Sequence, residues 1–458
     1  MGVFLKILLA IGIILIINIL FVFLKALFIK NRKTRILDIN NVDTKRKEEY
    51  AQKVYELVSI PTSYDEGEET YHIFREKIKL FFPLVHKYFL KEKIGSNVLF
   101  TYASHKEKAK KVLIVTHIDT SKEFMSPRID QDYVYGTGTF DSKTLFYVVL
   151  QAIEEKLEQE EKLDLDLTIA MTVDDTSTKQ GNEMMVTKFL RQGSFFHLVM
   201  EEGVGIIDPS FLKMKSHHAL LGIGVTGEVK IRYKIPKNRG VKDLQLFVKE
   251  VTENNLFKSK LDKNTRMVLK TLSKDMPFLY RLLFGNVPFF KVLDKRIINK
   301  REKDFGKLVK THIVTKGIEE NDKEYYVDLV YELATHDTAA EIVGIVSPYV
   351  KKYGLEYDLK DLKDPSKITP TYMYGYKEVE DVIYKTFKNL YVAPYIINKY
   401  TEQRYLSRVS DCVIRFSPLF YSEKNLKDIQ QKKEYILKAS IVYGVDFYKN
   451  LIDSFRGE

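Results

Sequence analysis

Two short apolar runs, separated by a helical stretch, constrain the fold of this chain more than any other feature of its sequence. Residues 111–116 (KVLIVT) and 167–173 (LTIAMTV) have the length and the β-branched side chains of buried strands, and residues 196–200 predict a third strand. Residues 144–160 have a helical pattern, and residues 425–455 predict a final helix. Because strands and helices alternate, the sequence predicts an α/β fold with a mainly parallel sheet.

The pattern changes after residue 218, and this change predicts an inserted domain. Residues 219–235, 307–315 and 325–333 alternate between apolar and polar side chains with period two, which is typical of antiparallel strands. Residues 241–254 have the pattern of an amphipathic helix. We therefore expect an α+β insertion in the α/β domain.

The composition supports a folded chain and limits the kind of metal site that it can carry. Of the 458 residues, 45% are hydrophobic, which is enough for large cores, and the length predicts two or three domains. The single cysteine, Cys412, excludes an intramolecular disulfide and a cysteine-based zinc module. Any metal ligands must therefore be histidines or carboxylates.

The net charge of +11 raises the question of a nucleic-acid partner. The basic residues are scattered among acidic ones, as the acidic run at residues 154–161 illustrates, and no recognition motif accompanies them. We interpret the excess as a lysine-rich, solvated surface and predict no nucleic-acid partner.

The start of the chain is the exception to this polar surface. Residues 7–24 carry no charged side chain, and Lys6 and Lys25 flank them. Such a run is long enough to span a bilayer and predicts a single transmembrane helix. A cleaved signal peptide is the alternative, but no small-residue cleavage site follows. Because more cationic residues follow the run than precede it, the globular part is expected in the cytoplasm.

Acidic residues and one histidine follow the predicted strands at the points where the strands end. His117 and Asp119 come directly after residues 111–116, and the turn YGTGTFDSK at residues 135–143 delivers Asp141 at the start of a helix. In open α/β sheets ligands bind at this edge, and converging acids repel one another unless a cation neutralises them. The sequence therefore predicts a metal site, to which the later strands add Asp174, Asp175, Glu201 and Glu202.

Each of these residues also has a simpler interpretation. His117 could be a hydrogen-bonded structural histidine, Asp141 a helix N-cap, and the two acidic pairs solvated turns. The ordered spacing over successive strands favours the metal site. Within that site, His117 and Asp119 share a face of an extended segment, so that Asp119 can orient the ring of a ligating His117.

Three motifs give the chain a resemblance to a known family: HID at residues 117–119, YGTGTFDSK at 135–143 and RFSPLF at 415–420. From about Tyr50 onward the sequence resembles the M20 family of zinc-dependent peptidases and acylases, in the branch of carboxypeptidase S and the N-acyl amino acid hydrolases. The resemblance implies a metallohydrolase in which a metal-activated water attacks an amide carbonyl of a small peptide or an N-acyl amino acid. It also implies two Zn²⁺ ions and a homodimer.

The resemblance also assigns roles to individual residues. Asp119 orients His117, Asp141 bridges the two ions, and Asp174 is the general base. The remaining implied metal ligands are Asp175, Glu201 and Tyr405, and the implied substrate-binding residues are Asn321 and Arg404. From the sequence pattern we expect a transmembrane anchor at residues 1–30 and a basic linker at 31–43. After them we expect a catalytic domain at 44–226 and 358–458, with an inserted domain at 227–357 that the resemblance implies to be a lid or dimerisation domain.

Departures from the family pattern leave two functions open. Tyr405 stands where the branch has its last histidine ligand, and a neutral phenol is a poor zinc ligand. Asp174 and Asp175 replace two glutamates, and each shortens the reach of the carboxylate by one methylene. The insertion also lacks the family's substrate-binding histidine. The first hypothesis is a membrane-anchored amide hydrolase, and the second is a non-catalytic binding or scaffold protein with one metal ion or none.

Overall fold

The computed structural model of the chain resolves into two compact units. The α/β unit comprises Arg35–Gly224, Lys367–Ile397 and Thr401–Glu458, and the α+β unit comprises Met1–Thr34, Val225–Ser366 and Asn398–Tyr400. The domain boundaries expected from the sequence stay a prediction. The structure describes residues 2–28, 32–63, 68–120, 124–173, 181–254, 256–285, 303–398 and 402–456.

A ten-stranded mixed sheet is the centre of the α/β unit. Its strands lie in the order β1-β2-β6-β3-β7-β15-β9-β8-β16, and β14 pairs with β9. The consecutive neighbours β6, β3, β7 and β15 are parallel, so their carboxyl ends meet at one edge. The strands are β1 (Leu90–Ile94), β2 (Asn97–Tyr102), β3 (Lys111–His117), β6 (Asp166–Thr172), β7 (Leu198–Glu201), β8 (Gly205–Ile207), β9 (His218–Val225), β14 (Tyr391–Ile397), β15 (Val413–Arg415) and β16 (Phe420–Tyr421).

A small sheet and several helices complete this unit. The small sheet has the order β17-β5-β4, from Tyr435–Leu437, Tyr133–Tyr135 and Arg128–Ile129. Nearly every residue of the helix Lys143–Glu158 is buried, as expected for a helix that is apolar on most of its surface. The helices are α2 (Thr44–Val58), α3 (Glu68–Phe81), α4 (Pro83–Tyr88), α5 (Lys143–Glu158), α6 (Gly181–Arg191), α12 (Tyr374–Thr386), α13 (Glu423–Gln430) and α14 (Lys438–Ser454).

The α+β unit has a four-stranded antiparallel sheet in the order β11-β12-β10-β13. Alternate side chains of β10 are buried, and Phe247 of a helix packs with Tyr233 and Tyr331 in this core. The strands are β10 (Gly227–Pro236), β11 (His312–Glu320), β12 (Glu324–Leu333) and β13 (Glu356–Lys363), and the helices are α1 (Gly2–Phe28), α7 (Lys242–Glu253), α8 (Lys263–Ser273), α9 (Phe278–Gly285), α10 (Lys303–Val309) and α11 (Ala339–Lys352).

The structure confirms the α/β fold class and corrects two local predictions. Residues 307–315 are not one strand, because α10 continues to Val309 before β11 starts at His312. Residues 425–455 are not one helix either. The chain turns at Lys432, whose φ is +62°, and β17 then pairs with β5 before α14 begins. In the second case a tertiary contact, the pairing of β17 with β5, outweighs the local pattern.

The apolar run at the start of the chain lies in α1. Val22 and Ala26 are buried, and the ring of Phe23 packs edge-to-face on Phe278 of α9. Of the helices in the described part of the chain, none combines the length and the apolar character needed to cross a membrane. The transmembrane helix predicted over residues 1–30 is therefore not supported.

His217 is a buried packing residue that makes the stability of the protein depend on pH. Its ring is buried, and Nδ1 accepts a hydrogen bond from the backbone N–H of Leu37 at 3.1 Å, which requires a neutral ring. Burial lowers the pKa of His217, and the charge of Asp208 offsets this only in part. The unfolded chain therefore binds an extra proton below pH of about 6.5, and stability falls as the pH falls.

We expect His217→Asn to remove this pH dependence, because the asparagine oxygen can still accept from Leu37 and does not titrate in this range. Between pH 7.5 and 5.5, the urea midpoint of the natural protein should fall relative to that of the variant. His217→Ala should be less stable than His217→Asn at both values. Parallel pH curves for the natural protein and His217→Asn would contradict this account.

Candidate metal centre

The last residue of β3 supplies the histidine of the site. His117 is 4% exposed, and the N–H of Ile118 continues the ladder to β6 by donating to Thr172 at 2.9 Å. Nδ1 of His117 lies 3.1 Å from the backbone carbonyl of Asp119 and 3.3 Å from Oδ1 of the same residue. Both atoms accept hydrogen bonds, so Nδ1 carries the proton and Nε2 is the ligand atom of the ring.

A tight turn before α5 delivers Asp141. Gly138 has a φ of +94°, and a Cβ added there would lie 3.0 Å from the buried stem of Lys143. The N–H groups of Gly138 and Phe140 donate to the carboxylate of Glu434 at 2.9 and 3.3 Å. The hydroxyl of Ser142 donates to the carbonyl of His117 at 2.9 Å, which ties the turn to the end of β3. These contacts hold Asp141 beside the histidine.

Lys143 supports the same turn from inside the protein. Its side chain is buried, and Nζ donates to the carbonyl of Ile60 at 2.5 Å. Burial lowers the pKa of Lys143 to about 7, and the charge of Glu434 opposes this shift. The lysine of the YGTGTFDSK motif is thus a packing residue beneath the turn and does not lie on the surface.

Two carboxylates converge on Nε2 of His117. Oδ1 of Asp141 lies 2.7 Å from this nitrogen, and Oε2 of Glu202, the residue after β7, lies 3.2 Å from it. One ligand atom from each of the three residues lies within 4.8 Å of the others. In the described part of the chain, this is the one group of three histidine, cysteine or acidic residues with such spacing.

The negative charges of Asp141 and Glu202 favour the binding of a cation beside His117. Burial alone would lower the pKa of His117, but the negative charges of Asp141 and Glu202 outweigh it and raise this pKa well above its usual value. Burial, followed by the charge of Asp141, raises the pKa of Glu202. Both shifts favour the protonated forms of the two groups, and the added protons reduce the negative charge of the site when no ion is bound. A divalent cation would replace those protons.

The donor set fits a metal ion of the zinc type. One imidazole nitrogen and two carboxylate oxygens are ligands that zinc uses in proteins, and catalytic zinc sites commonly have three protein ligands. The contact from Nδ1 of His117 to Asp119 adds the outer support that metal-binding histidines usually have. The His117, Asp141 and Glu202 group could therefore hold a metal ion, whose identity the donor set leaves open between zinc and similar divalent ions.

Glu201, a ligand expected from the sequence, lies elsewhere. Its carboxylate forms an ion pair with Arg415, and both side chains are fully buried. Glu202 contacts His117 in its place. The two glutamates are adjacent in the chain, and neighbouring residues at the end of a strand point in different directions. The pair Glu201-Glu202 was a sequence signal for the site, but it could not indicate which member faces the histidine.

The other expected residues lie at several places. Tyr405 lies in the 3-10 helix Glu402–Arg408 and packs, partly buried, against an apolar core cluster. Arg404 belongs to the same helix, and its side chain lies outside the described residues, as do Asp174 and Asp175. Asn321 lies in the turn between β11 and β12, where its side-chain oxygen accepts from the backbone N–H groups of Lys323 and Glu324. Their assigned roles stay predictions.

The sequence of this chain is similar to the sequences of known hydrolases. No protein-family model matches the chain. The probable carboxypeptidase S-like 2 protein of Dictyostelium discoideum is 22% identical over 463 residues, which cover 92% of this chain and 89% of the relative. The N-fatty-acyl-amino acid synthase/hydrolase PM20D1 of Xenopus tropicalis is 24% identical over 343 residues, which cover 70% of this chain and 66% of the relative.

Solved structures share the fold. The M20 family metallo-carboxypeptidase Sso-CP2 of Sulfolobus solfataricus superimposes with a TM-score of 0.63 at 14% identity, covering 89% of this chain and 99% of that one. Human carnosine dipeptidase 1 does so with a TM-score of 0.60 at 10% identity, covering 90% and 97%. Sequence matches and fold together support an M20-family hydrolase, as the motifs predicted. The weakened character of its metal site stays a prediction.

Proposed function

We propose that this protein is a zinc-dependent amide hydrolase of the M20 type, acting on small peptides or N-acyl amino acids. The observation that carries the proposal is the convergence of Asp141 and Glu202 on Nε2 of the buried His117. The substrate class is supported by the names of the relatives, which include a carboxypeptidase S-like protein and an N-fatty-acyl-amino acid synthase/hydrolase.

The described residues have definite tasks in this proposal. His117, Asp141 and Glu202 hold the ion, and Asp119 keeps the imidazole in the tautomer that presents Nε2. A bound zinc ion would supply Lewis acidity towards an amide carbonyl and would lower the pKa of a water molecule. Asp174 keeps its expected role as general base and Asp175 as a ligand of a second ion. These two roles rest on the family resemblance alone.

Two observations favour the second candidate, a non-catalytic binding protein. Tyr405, expected as the last ligand, packs against a core cluster that contains Leu406 and Val409. Glu201 is likewise engaged by Arg415. If the second ion lacks ligands, the protein retains one metal ion as a structural or binding feature. The first candidate is preferred because His117, Asp141 and Glu202 suffice for a single catalytic ion.

Metal content and activity together separate the two candidates. We expect the purified full-length protein, dialysed against Zn²⁺, to retain at least one equivalent of zinc by elemental analysis. We also expect it to release free amine from a panel of dipeptides and N-acyl amino acids. Less than half an equivalent of zinc would reject the metal site, whereas bound zinc without turnover of any panel member would favour the binding protein.

We also propose that the protein is attached to a membrane, with its globular part in the cytoplasm. The uncharged run at residues 7–24 and the cationic residues after it support this, and Ile14, Phe21 and Leu27 of α1 are each more than half exposed. Full-length protein should sediment with membranes, should resist extraction by high salt, and should be released by detergent. Recovery in the supernatant would contradict the attachment. The homodimer stays a prediction.

A further inference from the structure

The end of β7 carries two adjacent buried glutamates with different partners. Glu202 contacts His117, whereas the carboxylate of Glu201 meets the guanidinium of Arg415. Arg415 is 1% exposed, and the side chain of Glu201 is 0% exposed, so solvent does not screen this ion pair. The two glutamates thus differ in their partners, and the partner of Glu201 comes from the neighbouring strand.

Three contacts join the segment of Arg415 to the segment of Glu202. β15 lies parallel to β7, with Arg415 in register with Glu201, and the two side chains form the ion pair. The N–H of Phe416 donates to the carbonyl of Glu201 at 2.9 Å. The N–H of Gly203 donates to the hydroxyl of Ser417 at 3.1 Å. Glu202 is thus held on both sides by residues 415–417.

Two glycines make room for this arrangement. A Cβ added at Gly203 would lie 2.2 Å from the backbone carbon and oxygen of Arg415, and one added at Gly222 would lie 2.7 Å from the Cβ of Arg415. Contacts this short exclude any side chain unless the backbone moves. The backbone that carries Glu202 therefore lies directly against Arg415.

Stability alone does not account for a buried ion pair at this place. Removing two charges from water costs about as much free energy as their mutual attraction provides. A pair of apolar side chains of similar size therefore usually stabilises the folded protein equally well or better. The pair does have a local electrostatic effect. It neutralises Glu201, which would otherwise add a negative charge next to Glu202 in the chain and could compete with Glu202 for His117.

We infer that Arg415 is a positioning residue that selects Glu202, and not Glu201, as the ligand of the metal ion. This rests on the proposed metal site. Arg415 acts by holding the carboxylate of Glu201 and the backbone on either side of Glu202. Some residues contact a metal ligand without binding the metal ion themselves. Replacing such a residue typically lowers the metal affinity about 10- to 100-fold.

The test uses the full-length protein, purified in detergent, with Co²⁺ as the probe because its visible spectrum reports its coordination. The double variant Glu201→Leu/Arg415→Leu removes both charges and leaves neither one buried alone. We expect it to fold, with a melting temperature within a few degrees of the natural protein. We expect its Co²⁺ dissociation constant to rise about 10- to 100-fold, with a changed spectrum.

A control variant removes an ion pair of the α+β unit, whose two side chains are partly exposed. Arg232 and Asp328 form a bidentate pair between β10 and β12, with distances of 2.7 and 2.9 Å. The double variant Arg232→Leu/Asp328→Leu should bind Co²⁺ as the natural protein does. A folded Glu201→Leu/Arg415→Leu variant with unchanged Co²⁺ affinity and spectrum would overturn the inference.

A conservative variant keeps the inference testable if the double variant does not fold. Arg415→Lys retains the charge but replaces the planar fork by a single ammonium, so it should fold yet hold Glu201 less firmly. We expect a changed Co²⁺ spectrum and weaker binding, and natural values would overturn the inference. Failure of the natural protein to bind Co²⁺ would reject the proposed metal site itself, which is a different result.

Discussion

Asp141→Asn is expected to abolish tight zinc binding and to reduce kcat/KM by about 10³-fold or more. The substitution keeps the shape of the side chain but removes the negative charge that lies 2.7 Å from Nε2 of His117. A neutral amide is a weak ligand for zinc, and a metal ion contributes several kcal/mol to the stabilisation of an amide-cleaving transition state. Each 1.4 kcal/mol corresponds to about tenfold in rate.

The measurement pairs zinc content with hydrolysis of the best substrate of the panel. Asp132→Asn is the matched control, because Asp132 is exposed and its backbone carbonyl, not its side chain, accepts from Lys438. The control should retain both zinc and activity. If Asp141→Asn kept a full equivalent of zinc and natural activity, the centre would lie elsewhere. Loss of activity with zinc retained would instead make Asp141 a residue of catalysis and not of binding.

The two adjacent glutamates are expected to differ most in their effect on stability when each is changed to glutamine. Glu202→Gln should fold with natural stability and lose zinc affinity by at least about 100-fold, because a carboxylate ligand becomes an amide. Glu201→Gln should instead leave the buried guanidinium of Arg415 without a counter-charge. Breaking a buried ion pair in this way costs about 3 kcal/mol or more in the free energy of unfolding.

The urea midpoint measures stability, and a competing chelator measures zinc affinity. Each variant serves as the control for the other, since both make the same chemical change one residue apart. The family resemblance alone assigned the ligand role to Glu201. If Glu201→Gln lost zinc and kept its stability while Glu202→Gln kept its zinc, that assignment would be right and the geometry described for Glu202 would be wrong.

Much of the α/β unit could be predicted because its signals are local. The runs that form β3 and β6 are short, apolar and β-branched, and the helix between them is long enough to be recognised. The failures lie where distant residues decide. β17 interrupts the expected final helix because Tyr435, Ile436 and Leu437 pair with β5, some 300 residues earlier in the chain. No pattern within residues 425–455 carries that information.

In the metal centre, too, the sequence predicts some residues, whereas the role of others depends on distant parts of the chain. His117 and Asp141 were predictable because each follows a recognisable element and lies at the edge where parallel strands end. The sequence could not predict which of Glu201 and Glu202 contacts His117, because both residues are acidic and they are adjacent. That choice depends on Arg415, more than 200 residues away, which engages one of them from the neighbouring strand.

The sequence by itself therefore determined the fold class, the family likeness, and the edge of the sheet at which a cation would bind. Periodicity and residue order carry this information, because both act over short stretches of chain. Only the tertiary structure decided which carboxylates face His117 and which one is neutralised by an arginine. Side-chain direction at the end of a strand depends on partners that folding brings together from distant parts of the chain.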